Sequence, residues 1–105
     1  MPVPEINVAE LAERLTRGGE LVDVRSGGEY EQAHVRAARL VPLPDVADRV
    51  DDFPTDREVL VICRSGARSA VAAEFLRANG VDAVNVAGGT QAWIDAGYPV
   101  ETGPP

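Results

Sequence analysis

The chain has 105 residues, 45% of them hydrophobic and 26% charged, which is enough for one globular core and too little for two. Its net charge is −7 and all ten basic residues are arginine, a balance that argues against coating nucleic acid or an anionic membrane. No apolar run approaches the roughly 18 residues needed to cross a bilayer, and a single cysteine, Cys63, excludes an internal disulfide and dithiol chemistry.

Met1-Pro2-Val3-Pro4-Glu5 lacks the positive and apolar regions of a secretory signal, so a cytoplasmic location is expected. Asn7 with Glu10 three residues on makes a capping-box pattern. Val8, Leu11, Ala12 and Leu15 then recur at helical spacing until Gly18-Gly19. Leu21 to Val24 reads as a buried strand, and a short acidic helix is expected from Glu29 to Ala33. Leu40-Val41 predicts a small strand before Pro42 and Pro44 break the chain, and Val46 to Val50 a short helix before a turn at Phe53-Pro54. Glu58 to Cys63 is the clearest strand, its near-continuous apolar run suited to a parallel strand covered on both faces. Ala67 to Ala78 is the clearest helix, stopped at Gly80. A strand at Ala83 to Val86 follows, then a turn at Gly88-Gly89 into a helix containing Ala92, Trp93 and Ile94. Strands alternating with helices predict an α/β fold with a mainly parallel sheet in a single domain.

The chemistry gathers at Cys63-Arg64-Ser65-Gly66-Ala67-Arg68-Ser69, where the central strand ends and the longest helix starts. Ligand sites in open α/β sheets lie outside the carboxyl ends of strands. A helix N-terminus offers unpaired N–H groups and partial positive charge, and Gly66 lets successive N–H groups converge. Such a field lowers a thiol pKa from about 8.5 to roughly 3.5–7.5 and would equally stabilise a persulfide anion on Cys63. Arg64 and Arg68 add fixed cations. Of the 17 acidic residues 13 precede Cys63, whereas Arg64, Arg68 and Arg77 follow it, so the cysteine sits in a locally positive stretch suited to a small anion. A cysteine ending an apolar strand can also be a small buried hydrophobe. The glycine turn, the two arginines and the serines at 65 and 69 favour a reactive site.

These motifs resemble those of the rhodanese family along nearly the whole chain. Leu21-Val22-Asp23-Val24-Arg25 with Glu29-Tyr30 is similar to its first strand motif, and Cys63 to Ser69 closely resembles its active loop. Gly88-Gly89, Ala92-Trp93 and Ala96-Gly97-Tyr98-Pro99-Val100 resemble its C-terminal signature. Residues 102–105, ending in Gly103-Pro104-Pro105, read as a frayed tail, and the resemblance implies one domain over residues 1–105 with a core at about 5–101. It implies a three-layer α/β fold with a mainly parallel five-stranded sheet and helices on both faces. It also implies sulfur transfer through a Cys63 persulfide, from a small anionic donor such as thiosulfate to cyanide, a thiol or a sulfur-accepting protein. Arg64, Ser65, Gly66, Ala67 and Arg68 would hold the donor, Asp23, Arg25 and Ser69 would support the site, and no cofactor or metal is called for.

The resemblance weakens at Ala33-His34-Val35-Arg36-Ala37-Ala38, where the family's two glycines and proline are missing. His34 reads as a residue that ties down this turn rather than as a base for Cys63, Trp93 as core, and the acidic run from Asp45 to Asp56 as a solvated face. Cysteine phosphatases and arsenate reductases of related fold carry an arginine six residues after the cysteine. Here position 69 is serine and the arginine stands at 68, giving a smaller cradle. The remaining alternatives are a non-catalytic binding module, although such modules often lack the cysteine, and a sulfur-relay module whose acceptor is a partner protein.

Overall fold

The computed structural model describes residues 3–105. Five strands, β1 (Glu5–Ile6), β2 (Glu20–Asp23), β3 (Ala38–Leu40), β4 (Glu58–Ile62) and β5 (Asp82–Val86), form one sheet in the order β1-β5-β4-β2-β3. Every pairing is parallel. Four helices alternate with them: α1 (Val8–Thr16), α2 (Gly27–Gln32), α3 (Ala67–Ala78) and α4 (Gly89–Asp95).

The period-two geometry of a strand sorts the apolar run of β4 onto both faces. Val59, Val61 and Cys63 join a cluster with Ala72, Ala73 and Leu76 of α3. Leu60 and Ile62 join a second cluster with Leu11 of α1, Tyr30 of α2 and Trp93 of α4. Both faces are therefore covered, which is why β4 reads as continuously hydrophobic.

The chain leaves β2 for β3 on one side and β4 for β5 on the other, so the sheet order reverses between β2 and β4. At such a reversal the loops at the carboxyl ends part and leave a crevice. Asp23, Val24 and Arg25 rise on one side of it and Cys63 and Arg64 on the other.

Two local expectations are corrected, and one strand lies outside them. The helix expected at Val46 to Val50 is absent; two 3-10 turns, Leu43–Asp45 and Val50–Asp52, flank a run of turns instead. The segment, which ends at the Phe53-Pro54 turn, is too short to propagate a helix. Its apolar residues Leu43, Val46, Val50 and Phe53 still reach the α3-side core, because spacings of three and four suit either kind of turn. The helix expected at Glu29 to Ala33 begins earlier, at Gly27, because Ser26 is the residue whose side chain caps it. β1 was not foreseen: two residues between Pro4 and Asn7 carry no readable period. Near the end of the chain Glu101 and His34 exchange backbone hydrogen bonds, and the Gly103 N–H donates to Glu31 O at 2.8 Å.

Candidate active site

Cys63 follows the last residue of β4, and three residues later α3 begins. Gly66 turns the chain into the helix at φ 107°, a left-handed conformation that side chains resist. No side chain caps α3. The group that takes up one of its free N–H groups is the cysteine itself: Gly66 N–H donates to Cys63 Sγ at 3.1 Å. From the first turn of the helix the buried Ser69 Oγ stands 3.2 Å from the same sulfur. Burial pushes the Cys63 thiol pKa up, but the Ser69 hydroxyl and the backbone N–H groups of Ser69, Gly66 and Ser65 outweigh it, and the net shift is downward.

Behind the serine a short chain of hydrogen bonds runs through the buried Asn85. Asn85, on β5, donates through Nδ2 to Glu5 Oε2 at 2.8 Å and to Gly66 O at 3.1 Å. Both amide hydrogens are thus used, and Oδ1 is left facing Ser69 Oγ at 2.5 Å as an acceptor. Ser69 has one hydroxyl proton and two claimants. When Cys63 is a thiol its S–H can donate to Oγ while the hydroxyl serves Asn85; when Cys63 ionises the hydroxyl can turn to the sulfur. The asparagine thus orients the serine, and the serine follows the charge on Cys63.

The backbone of the loop is clamped from α4. Thr90 N–H donates to Cys63 O at 2.9 Å and Gln91 N–H to Arg64 O at 3.0 Å. This contact requires Gly89, where a Cβ would fall 2.4 Å from Cys63 O and 2.6 Å from Arg64 O.

Across the crevice, Asp23 and Arg25 form a buried pair. Arg25 Nη2 lies 2.8 Å from Asp23 Oδ2 and also donates to Ala33 O at 2.7 Å. Arg68 gives both terminal nitrogens to Glu29, at 2.7 and 2.9 Å, and so joins α3 to α2. The Arg68 guanidinium holds the Glu29 carboxyl down at about 2. Nine of the ten arginines have a carboxylate oxygen within 4.0 Å; among the described residues Arg64 alone has none. Arg64 is exposed and lines a cleft of about 230 Å³ together with Arg25, Gln32, Thr90, Gln91 and Ile94.

The chain as a whole has relatives and structural neighbours. The Rhodanese-like domain family matches residues 7–96. The chain belongs to the rhodanese-like family. A sulfurtransferase of Allochromatium vinosum is 38% identical over 93% of this chain and 94% of its own length. The thiosulfate sulfurtransferase GlpE of Actinobacillus pleuropneumoniae is 34% identical over 81% of this chain and 80% of its own. The crystal structure of a rhodanese-like domain protein from Staphylococcus aureus superposes with a TM-score of 0.87 at 35% identity, covering 96% of this chain and 99% of that one.

Within this rhodanese-like frame, the altered turn at Ala33 to Ala38 is held by its histidine. His34 is buried, its ring stacks on Tyr30 at 3.7 Å, and Nδ1 lies 2.7 Å from Tyr30 O. A carbonyl only accepts, so Nδ1 carries the proton. Trp93 packs in the core, with Nε1 donating to Pro99 O at 2.8 Å. Arg36 is exposed beside Glu101. Among the described residues no helix is long and apolar enough to cross a membrane.

Three residues of the site escaped the sequence reading. Asn85 carries a signal, a polar residue between Val84 and Val86 in an apolar run. Glu29 was seen as part of a motif but not as the partner of Arg68, a contact 39 residues apart that only the fold creates. Thr90 carries no signal in the sequence.

Proposed function

We propose that this protein is a sulfurtransferase that carries sulfane sulfur as a persulfide on Cys63, taking it from thiosulfate and passing it to a thiol or cyanide. The observation that carries this reading is the bonding of Sγ. A thiol that only filled space would not draw a backbone N–H and a buried hydroxyl onto its sulfur at the start of an uncapped helix.

The Cys63 thiolate attacks the outer sulfur of thiosulfate. The S–S bond of thiosulfate breaks and sulfite leaves with the bonding pair, so the new terminal sulfur on Cys63 bears the negative charge. The donors that stabilise the thiolate suit that charge as well, because it sits on the next atom of the same loop. An acceptor thiolate or cyanide then attacks the terminal sulfur and the Cys63 thiolate departs. No general base is needed once Cys63 is ionised, which suits the engagement of His34 with Tyr30. Arg64, free of any carboxylate, is the cation we assign to the anionic donor, and Arg68 acts through Glu29 as a brace that joins α2 to α3. A lone thiol that must be reduced to cycle belongs in a reducing compartment, so we assign the work to the cytoplasm.

The test is steady-state transfer from thiosulfate to cyanide. Cys63→Ser is expected to remove it entirely, since no other thiol exists. Residual turnover in that variant would refute the persulfide route.

A further inference from the structure

We propose that the cleft between α2 and α4 is an acceptor subsite that selects small thiols bearing a carboxylate, with Arg64 and the Thr90 hydroxyl as its anion-binding donors. This rests on the sulfur-transfer reading above. It adds which acceptors the site prefers and which residues choose them.

Two independent observations meet in the cleft. The first is Arg64, the one arginine without a carboxylate partner among the described residues. On a chain of net charge −7 that isolation stands out, because carboxylates are abundant and every other arginine has one nearby. The second is Thr90, 1% exposed, whose Oγ1 is the only buried side-chain oxygen or nitrogen among the described residues with no hydrogen-bond partner. Leaving a buried hydroxyl unpaired is costly, and native proteins rarely do it without use. A threonine inside a helix can turn its hydroxyl back to the carbonyl four residues earlier. Thr90 stands in the first turn of α4, where that carbonyl lies outside the helix. A ligand group in the cleft would supply the missing partner.

The surroundings indicate what that ligand is. Thr90 and its neighbour Gln91 hold the Cys63 and Arg64 carbonyls through their own N–H groups, so the hydroxyl is tied to the reactive loop. The other charges on the cleft are already satisfied, Arg25 by Asp23 and Glu29 by Arg68, which leaves Arg64 as the free cation. The volume of about 230 Å³ corresponds to some seven or eight waters at roughly 30 Å³ each, more than the five heavy atoms of thiosulfate require. Gln32 and Gln91 add amides that match a peptide-like group, and Ile94 an apolar wall. After sulfite leaves, the cation that held its oxygens is free to take an acceptor carboxylate. The acceptor thiol loses its proton to solvent, its thiolate attacks the terminal persulfide sulfur, and the S–S bond to Cys63 breaks with the pair returning to Cys63.

The experiment compares two acceptors. Persulfidated protein, freed of thiosulfate, is reacted with N-acetylcysteine and with N-acetylcysteamine, which has the same amide and thiol but no carboxylate. Wild type should favour N-acetylcysteine in kcat/KM by about 10-fold or more after correction for thiolate fraction, the scale of a charge-assisted hydrogen bond. Arg64→Gln should abolish the preference. Thr90→Val should cut it about 2- to 12-fold, the scale of one net hydrogen bond, with a Tm equal to or above that of wild type, because the hydroxyl has no protein partner to lose. No preference in wild type, or a Thr90→Val preference unchanged, would overturn the proposal. A lowered Tm with the preference intact would overturn it too, marking Thr90 as structural. A second measurement needs no sulfur chemistry: reduced protein is titrated with N-acetylalanine and amide resonances are followed. Saturable shifts at Arg64, Thr90 and Gln91, lost in Arg64→Gln, support the subsite even if Cys63 never accepts sulfur. Their absence overturns the subsite even if Cys63 does.

Discussion

The loops that leave β2 and β4 start from neighbouring parallel strands and both run into a helix, yet they are held by opposite means. After β2, Ser26 caps α2 with its side chain, Glu29 returns the bond to complete a capping box, and Arg25 is locked onto Asp23. Side chains consume the donors and the charges there. After β4, no side chain caps α3, and the loop's shape comes from Gly66 and from two N–H groups of α4. Its N–H groups are left for a sulfur or an anion, and Arg64 is left without a carboxylate. One topology thus yields a brace and an open cradle around Cys63, and the difference lies in whether side chains have already satisfied the helix N-terminus.

The comparison breaks most readily at the brace. Arg25→Ala strands the Asp23 carboxylate in the core, which should cost about 3–5 kcal/mol, or a fall in Tm of more than about 10 °C for a domain of this size. A thermal melt that shifted by only a degree or two would show that the β2 loop is not held by this pair.

The cradle is sharpened by Ser69→Ala, which removes one hydrogen bond to the Cys63 thiolate. Such a bond to a charged group is worth about 1.5–3 kcal/mol, or roughly one to two pKa units. The pH profile of Cys63 alkylation should move up by that amount, and sulfur transfer at neutral pH should fall with it. Asn85→Leu should move the profile too, by less, because it releases the serine without removing it. A profile unmoved by Ser69→Ala would leave the thiolate to the backbone alone.

A smaller effect separates the two loops directly. Ser26→Ala removes the α2 cap and should cost about 1 kcal/mol of stability while leaving the alkylation profile of Cys63 in place. A shifted profile would mean that the brace also tunes the cradle.

The smallest expected effect is on the Glu29–Arg68 pair. Its side chains are 31% and 39% exposed, so solvent screening holds its worth to about 1 kcal/mol or less. Glu29 has a folded pKa of about 2 against an ordinary value of 4.5, so its contribution is complete above about pH 4.5 and is lost as pH falls towards 2. In denaturant melts Glu29→Gln should lose a little stability at pH 6 and converge with wild type near pH 2. A difference that persisted unchanged at pH 2 would mean that the carboxylate charge is not its source.

Much of this fold was legible in the sequence because its signals are local and consistent. β4 and α3 announce themselves by a β-branched apolar run followed by an alanine-rich helix, and Cys63 falls where they meet. The capping box at Asn7 and Glu10 forms as read. What was not legible was set by contacts between distant residues. Arg64 and Arg68 look alike in the sequence, and only the fold gives Arg68 to Glu29 while leaving Arg64 open. Asn85 could be noticed as odd in its strand, but its purpose depends on Glu5, 80 residues away, lying on the adjacent strand. The region from Leu43 to Phe53 misled because an apolar spacing of three and four does not distinguish an α-helix from a series of tight turns.

The central claim is that Cys63 carries sulfur, and the most direct measurement is the intact mass of reduced protein after incubation with excess thiosulfate, with Cys63→Ser alongside. The account predicts a gain of one sulfur atom in the wild-type protein, reversed by reductant and absent from the variant. No gain with thiosulfate, polysulfide or persulfide donors, while a thiol reagent still labels Cys63, would contradict it.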